Sequence, residues 1–81
     1  MNLNWNQAET RRDDDYVCCE VPVTLPAPGI PDYAKRAMVI MTNYNYKAAL
    51  CYLDEDDRPH YIDHAFAQEE IEKLKRMVSS P

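Results

Sequence analysis

Glycine is almost missing from this chain, with one in 81 residues. That leaves no glycine-rich loop to cradle phosphates and few of the tight turns from which an oxyanion hole is built. No stretch reaches the roughly 18 consecutive apolar residues that a membrane helix requires, and the N-terminal MNLNWNQAETRRDDD lacks the apolar segment of a secretory signal. A soluble, cytoplasmic protein is expected, with no membrane partner. Basic residues are also scarce: nine Lys and Arg stand against fourteen Asp and Glu, for a net charge of −5. Direct nucleic-acid binding, which relies on clustered cations to neutralise phosphates, is disfavoured. The three cysteines include an adjacent pair, Cys18 and Cys19, with Cys51 far off. This suits neither a disulfide framework nor spaced metal ligands, and reduced thiols are expected.

What the chain does have is a sheet-forming centre, Lys35 to Ile62. Runs rich in Val, Ile, Met, Tyr and Leu flank Asn43-Tyr44-Asn45, the pattern of a β-hairpin. A three-residue loop puts Asn45 at the position needing positive φ. Thr42 then faces Tyr46, Ile40 faces Ala48 and Met38 faces Leu50, which gathers Met38, Ile40, Leu50 and Tyr52 on one face. Ala37, Val39, Met41, Lys47, Ala49, Cys51 and Leu53 fall on the other. Beyond the acidic loop Asp54 to Arg58, the short run Pro59 to Ile62 returns as an edge strand, since Pro59 has no N–H to donate.

Upstream, Tyr16 to Thr24 alternates Val17, Cys19, Val21 and Val23 against Tyr16, Cys18, Glu20 and Pro22, the period of a half-buried strand, with Pro22 arguing for an edge. Residues 1–15 show no periodicity and too little apolar surface to order themselves, so they are expected to form a flexible arm ahead of one domain, residues 16–81. Leu25 to Pro31 reads as an extended connection or turn. At the C-terminal end, Ala67, Ile71, Leu74 and Val78 form one apolar stripe on a charged helix, with acidic residues in its first half and basic ones in its second. Phe66 precedes it as a staple for Ile71. The expected fold is a small two-layer α+β sandwich: an antiparallel sheet of three to four strands with one C-terminal helix packed on one face. Its core is Met38, Ile40, Leu50, Ile62, Phe66, Ile71 and Leu74. The other face would leave Val39, Met41, Cys51 and Leu53 to be covered by residues 1–31 or by a second copy in a homodimer.

No constellation carries catalytic chemistry. His60 and His64 have a helix-compatible spacing, but His60 sits in a strand pattern, and adjacent cysteines on a strand point to opposite faces. A Cys51–His60 pair has the wrong parity to meet. Asp54-Glu55-Asp56-Asp57 lacks the central glycine and flanking helices of a calcium loop. No metal, cofactor or enzymatic activity is expected.

The acidic run does suit docking on a basic surface, and Tyr44, Tyr46, Tyr52 and Tyr61 are of the aromatic type favoured at interfaces. The functional expectation is a non-enzymatic protein-binding module, an acidic inhibitor of the kind by which small phage counter-defence proteins occupy a nucleic-acid-binding groove. Asp54, Glu55, Asp56 and Asp57 together with those four tyrosines are its expected contact residues. The alternative is a metal- or redox-responsive regulator using Cys18, Cys19 and Cys51.

Overall fold

The computed structural model describes residues 1–79. It is an α+β fold in which an antiparallel sheet carries one C-terminal helix. The sheet is formed by β1 (Glu9–Arg12), β2 (Val17–Pro22), β3 (Arg36–Thr42), β4 (Ala49–Leu53) and β5 (Pro59–Ile62), in that spatial order, and α1 spans Gln68–Ser79. Five strands replace the expected three to four because the N-terminal segment supplies β1. Residues 1–15, expected to stand outside the domain as an arm, therefore enter its sheet, and the boundary placed after residue 15 falls inside the β1–β2 hairpin. A short 3-10 turn, Trp5–Gln7, precedes β1, and Leu3 bridges to Val23. Pro22, expected at an edge, lies in a strand flanked on both sides. Its missing donor faces the point where β1 has not yet begun, and its carbonyl accepts the Asn4 N–H at 2.8 Å. Pro59 does open an edge strand, β5.

The central hairpin departs from expectation by one residue. Tyr46 N–H donates to the Thr42 carbonyl at 2.9 Å, so these two residues do meet at the base of the turn. Ile40 nevertheless pairs with Ala49, not Ala48, and Met38 pairs with Cys51, not Leu50. Two steps along β3 are matched by three on the returning side, which places an extra residue at Lys47–Ala48. Positive φ falls on Tyr46 (φ 55) and not on Asn45. Because side chains alternate along a strand, that single residue exchanges the faces of β3 relative to β4. Val39 and Met41 join Leu50 and Tyr52 in the core under the helix, while Met38 and Ile40 join Cys51, Ala49 and Leu53 on the opposite face.

The core comprises Cys19, Val21, Val23, Ala37, Val39, Met41, Leu50 and Tyr52 from the sheet side, closed by Leu74 and Val78 of α1 and by Ile30. Helix α1 lies on β2 and β3. Its first turn is fixed by the Glu70 carboxylate, which accepts the Ala67 N–H at 2.9 Å in the reciprocal half of a capping box. Phe66, Ile71 and Ile62 each pack against the core rim. Ile30 reaches the core through a turn in which its N–H bonds the Ala27 carbonyl. Pro28 and Gly29 occupy the central positions of that turn, and the φ of 82° at Gly29 is the value a type II turn demands there. The Val39 and Met41 side chains are thus buried inside one chain, and a homodimer built on them has no surface to use. The opposite face carries a row running Pro22, Met38, Cys51 and Tyr61 across four strands.

Candidate functional site

The loop that joins β4 to β5 is organised by one of its own carboxylates. Asp54 Oδ1 accepts the N–H groups of Asp56 at 2.8 Å and Arg58 at 2.9 Å, and its backbone N–H donates to the Arg58 carbonyl at 3.0 Å. Its second oxygen lies 2.7 Å from His60 Nε2. An ionised carboxylate only accepts, so the imidazole N–H is the donor. The His60 bond, helped by the two backbone N–H groups, holds the Asp54 carboxyl down at about 2 against a usual 3.8. Only 19% of the Asp54 side chain remains accessible. Asp57 takes the left-handed conformation (φ 61) that closes the loop, and its carboxylate stands 3.7 Å from Lys35 Nζ. Glu55, Asp56 and Asp57 are all exposed, and Asp54 alone is drawn inward. Tyr33, Asp54, Glu55 and Asp56 line an open hollow of about 260 Å³.

The four tyrosines do not form one rim around this loop. Tyr52 is 8% exposed and belongs to the core face. Its ring stacks on His60 at 4.9 Å and meets Tyr33 edge-on at 6.3 Å, with the two hydroxyls 3.4 Å apart. That hydroxyl contact raises the Tyr52 pKa above its ordinary value. Tyr61 is 68% exposed on the sheet face away from α1. Tyr44 and Tyr46 lie in the β3–β4 turn, at the other end of β4 from Asp54. The length of β4 separates the two groups by roughly 17 Å at about 3.4 Å per residue.

A different grouping forms at that far end. The β1–β2 turn carries Asp13, Asp14, Asp15 and Tyr16, and Asn43 clamps it to the β3–β4 turn: Val17 N–H donates to Asn43 Oδ1 at 2.8 Å, and Asn43 N–H donates to the Val17 carbonyl at 2.9 Å. Asn45 holds the second turn from within, its Oδ1 accepting Lys47 N–H at 3.0 Å. The carboxamides therefore take over the turn-building bonds, and the tyrosines point outward. Tyr44 is 86% exposed, and Tyr16 and Tyr46 are about as open as each other. Asp15, Tyr16, Thr42 and Tyr44 line a hollow of about 470 Å³. A hydrogen bond to Asp13 raises the Tyr16 pKa. The sequence holds the signal for this site in DDDY followed 28 residues later by Tyr44, but only the pairing of β2 with β3 reveals that the two turns are neighbours.

The thiols are dispersed. Cys19 is buried in the core, Cys51 is buried on the opposite face, and Cys18 is half-buried beside Arg11. Burial pushes all three thiols upward in pKa, away from the thiolate that redox and metal chemistry use. No three His, Cys, Asp or Glu side chains among the described residues are placed to hold a metal ion. Comparison with protein-family models, with curated proteins and with solved structures finds no match to this chain.

Proposed function

We propose that this protein is a non-enzymatic binding module whose contact surface is the acidic, tyrosine-bearing end of the sheet. The observation that carries this reading is that Asp15, Tyr16 and Tyr44 line one hollow, with Asp13 and Asp14 exposed in the same turn as Asp15. Exposed carboxylates steer a basic partner and speed its encounter, while tyrosine supplies large, rigid contact area with few rotamers to immobilise. The net charge of −5 adds a long-range component of the same sign. The partner is a protein with a basic surface, and occupying a nucleic-acid-binding groove would make the module an inhibitor that competes with the polyanion.

At the other end, Glu55 and Asp56 extend the negative field, whereas Asp54 and Tyr52 serve the fold. Tyr61 lies outside both groups, on the open sheet face. The dispersed, raised-pKa thiols give the redox or metal reading no specific support.

The test is recovery of partners from cells by the wild type and by a variant in which Asp13, Asp14 and Asp15 become Asn and Tyr44 becomes Ala, followed by association kinetics on any recovered partner. The expected result is slower association with a flattened salt dependence in the variant. An unchanged rate and unchanged salt dependence would reject this surface.

A further inference from the structure

Strand β1 is one of the two outer strands of the sheet, and all four of its residues, Glu9, Thr10, Arg11 and Arg12, are exposed. Asp13 N–H bonds the Tyr16 carbonyl at 2.9 Å, and the same register pairs Arg11 with Cys18 and Glu9 with Glu20. In an antiparallel ladder alternate residues bond to alternate neighbours. The backbones of Glu9, Arg11 and Asp13 are therefore tied to β2, and the N–H and C=O of Thr10 point away from the sheet. The other edge is blunted by Pro59, while β1 contains no proline, and α1 lies over β2 and β3.

We propose that β1 is a docking strand for a second copy of this chain, the two strands pairing antiparallel about a twofold axis through Thr10. The argument is charge complementarity in one register. An outward-facing residue can exchange hydrogen bonds only with another outward-facing residue, so the allowed registers move in steps of two. With Thr10 opposite Thr10 of the second copy, Glu9 of each chain faces Arg11 of the other, twice over, at the close non-hydrogen-bonded positions. One step in either direction brings Glu9 against Glu9 or Arg11 against Arg11, so both neighbouring registers are penalised by like charges. Arg11 already leans on Glu20 at 3.6 Å, on the same face as Glu9. The second copy's Glu9 would add to that bridge. The pairing joins two five-stranded sheets into one and leaves both helices on the same side. It is independent of the acidic end proposed above.

Sedimentation velocity over a concentration series, with reductant present to exclude disulfides, tests this. The wild type should show a concentration-dependent dimer. Thr10→Pro removes the outward N–H without taking a bond from β2, and Glu9→Arg sets like charges opposite each other; each should weaken dimerisation about tenfold or more. The double variant Glu9→Arg with Arg11→Glu should restore it, because the charges again match across the axis and the arginine side chain introduced by Glu9→Arg stands opposite Glu20. Circular dichroism of each variant verifies the fold, and the charge variants decide the matter where Thr10→Pro disturbs it. A wild type that stays monomeric at the highest attainable concentration overturns the proposal. So does a dimer that survives Glu9→Arg, or one that is lost instead with Ile40→Glu on the open sheet face.

Discussion

The two ends of the sheet carry similar numbers of acidic residues and use them in opposite ways. In the β4–β5 loop, Asp54 is the builder: it receives two backbone N–H groups and the His60 imidazole, and its charge is consumed inside the turn. At the other end, Asn43 and Asn45 do the building with neutral carboxamides, and the adjacent Asp13, Asp14 and Asp15 remain at the surface beside the tyrosines. A count of carboxylates thus says little about the field a partner meets. What matters is whether a turn closes on its own aspartate or on something else.

Four perturbations sharpen this contrast. The largest effect should come from the core that supports both ends: Leu50→Ala or Leu74→Ala removes a fully buried side chain and should cost about 2–5 kcal/mol in denaturant unfolding, lowering both ends together. Next, Asn43→Ala removes the acceptor for the Val17 N–H and should cost about 1–2 kcal/mol by the same measurement. A loss confined to amide exchange protection around the two joined turns would mark Asn43 as their clamp.

The third perturbation is acid. Asp54 binds its proton less tightly folded, at about 2, than unfolded at 3.8. Its ionised form therefore favours the native state: the contribution is fully present above about pH 4 and disappears as pH falls toward 2. Asp54→Asn should flatten the stability profile in that window. A profile that fails to respond to Asp54→Asn would mean the loop closes without its charge. The smallest effect belongs to Glu55→Gln with Asp56→Asn, which should shift stability by less than about 0.5 kcal/mol, as expected of outward side chains away from any turn-building bond.

Much of this fold could be read from residue order. The helix announced itself through the Ile71, Leu74, Val78 stripe, and the β4–β5 pairing that sets Leu50 beside Ile62 followed from alternation. Two features were hidden for physical reasons. Strand β1 is exposed on both faces, so Glu-Thr-Arg-Arg shows no apolar alternation, and its only signal is the neighbour it pairs with. The residue inserted at Lys47–Ala48 has no compositional mark either, since a bulge is a backbone event, yet it set Met38, which is still buried, and Ile40 on the face away from the helix and brought Val39 and Met41 under it. The binding surface suffered most. Tyr52 looked like a rim residue although alternation already put it on the face of Leu50, and the structure packs it there against His60 and Tyr33; Tyr16 could be joined to Tyr44 only once β2 was known to lie beside β3.

The contact between Trp5 and α1 gives the molecule its own optical reporter. Trp5 is the chain's only tryptophan, partly buried against the core, with Lys73 Nζ 4.5 Å above its ring. Its emission therefore speaks for the N-terminal strap alone. A red shift under conditions where the far-ultraviolet signal of α1 persists would report the strap lifting from the helix, a local event that global probes of unfolding would miss.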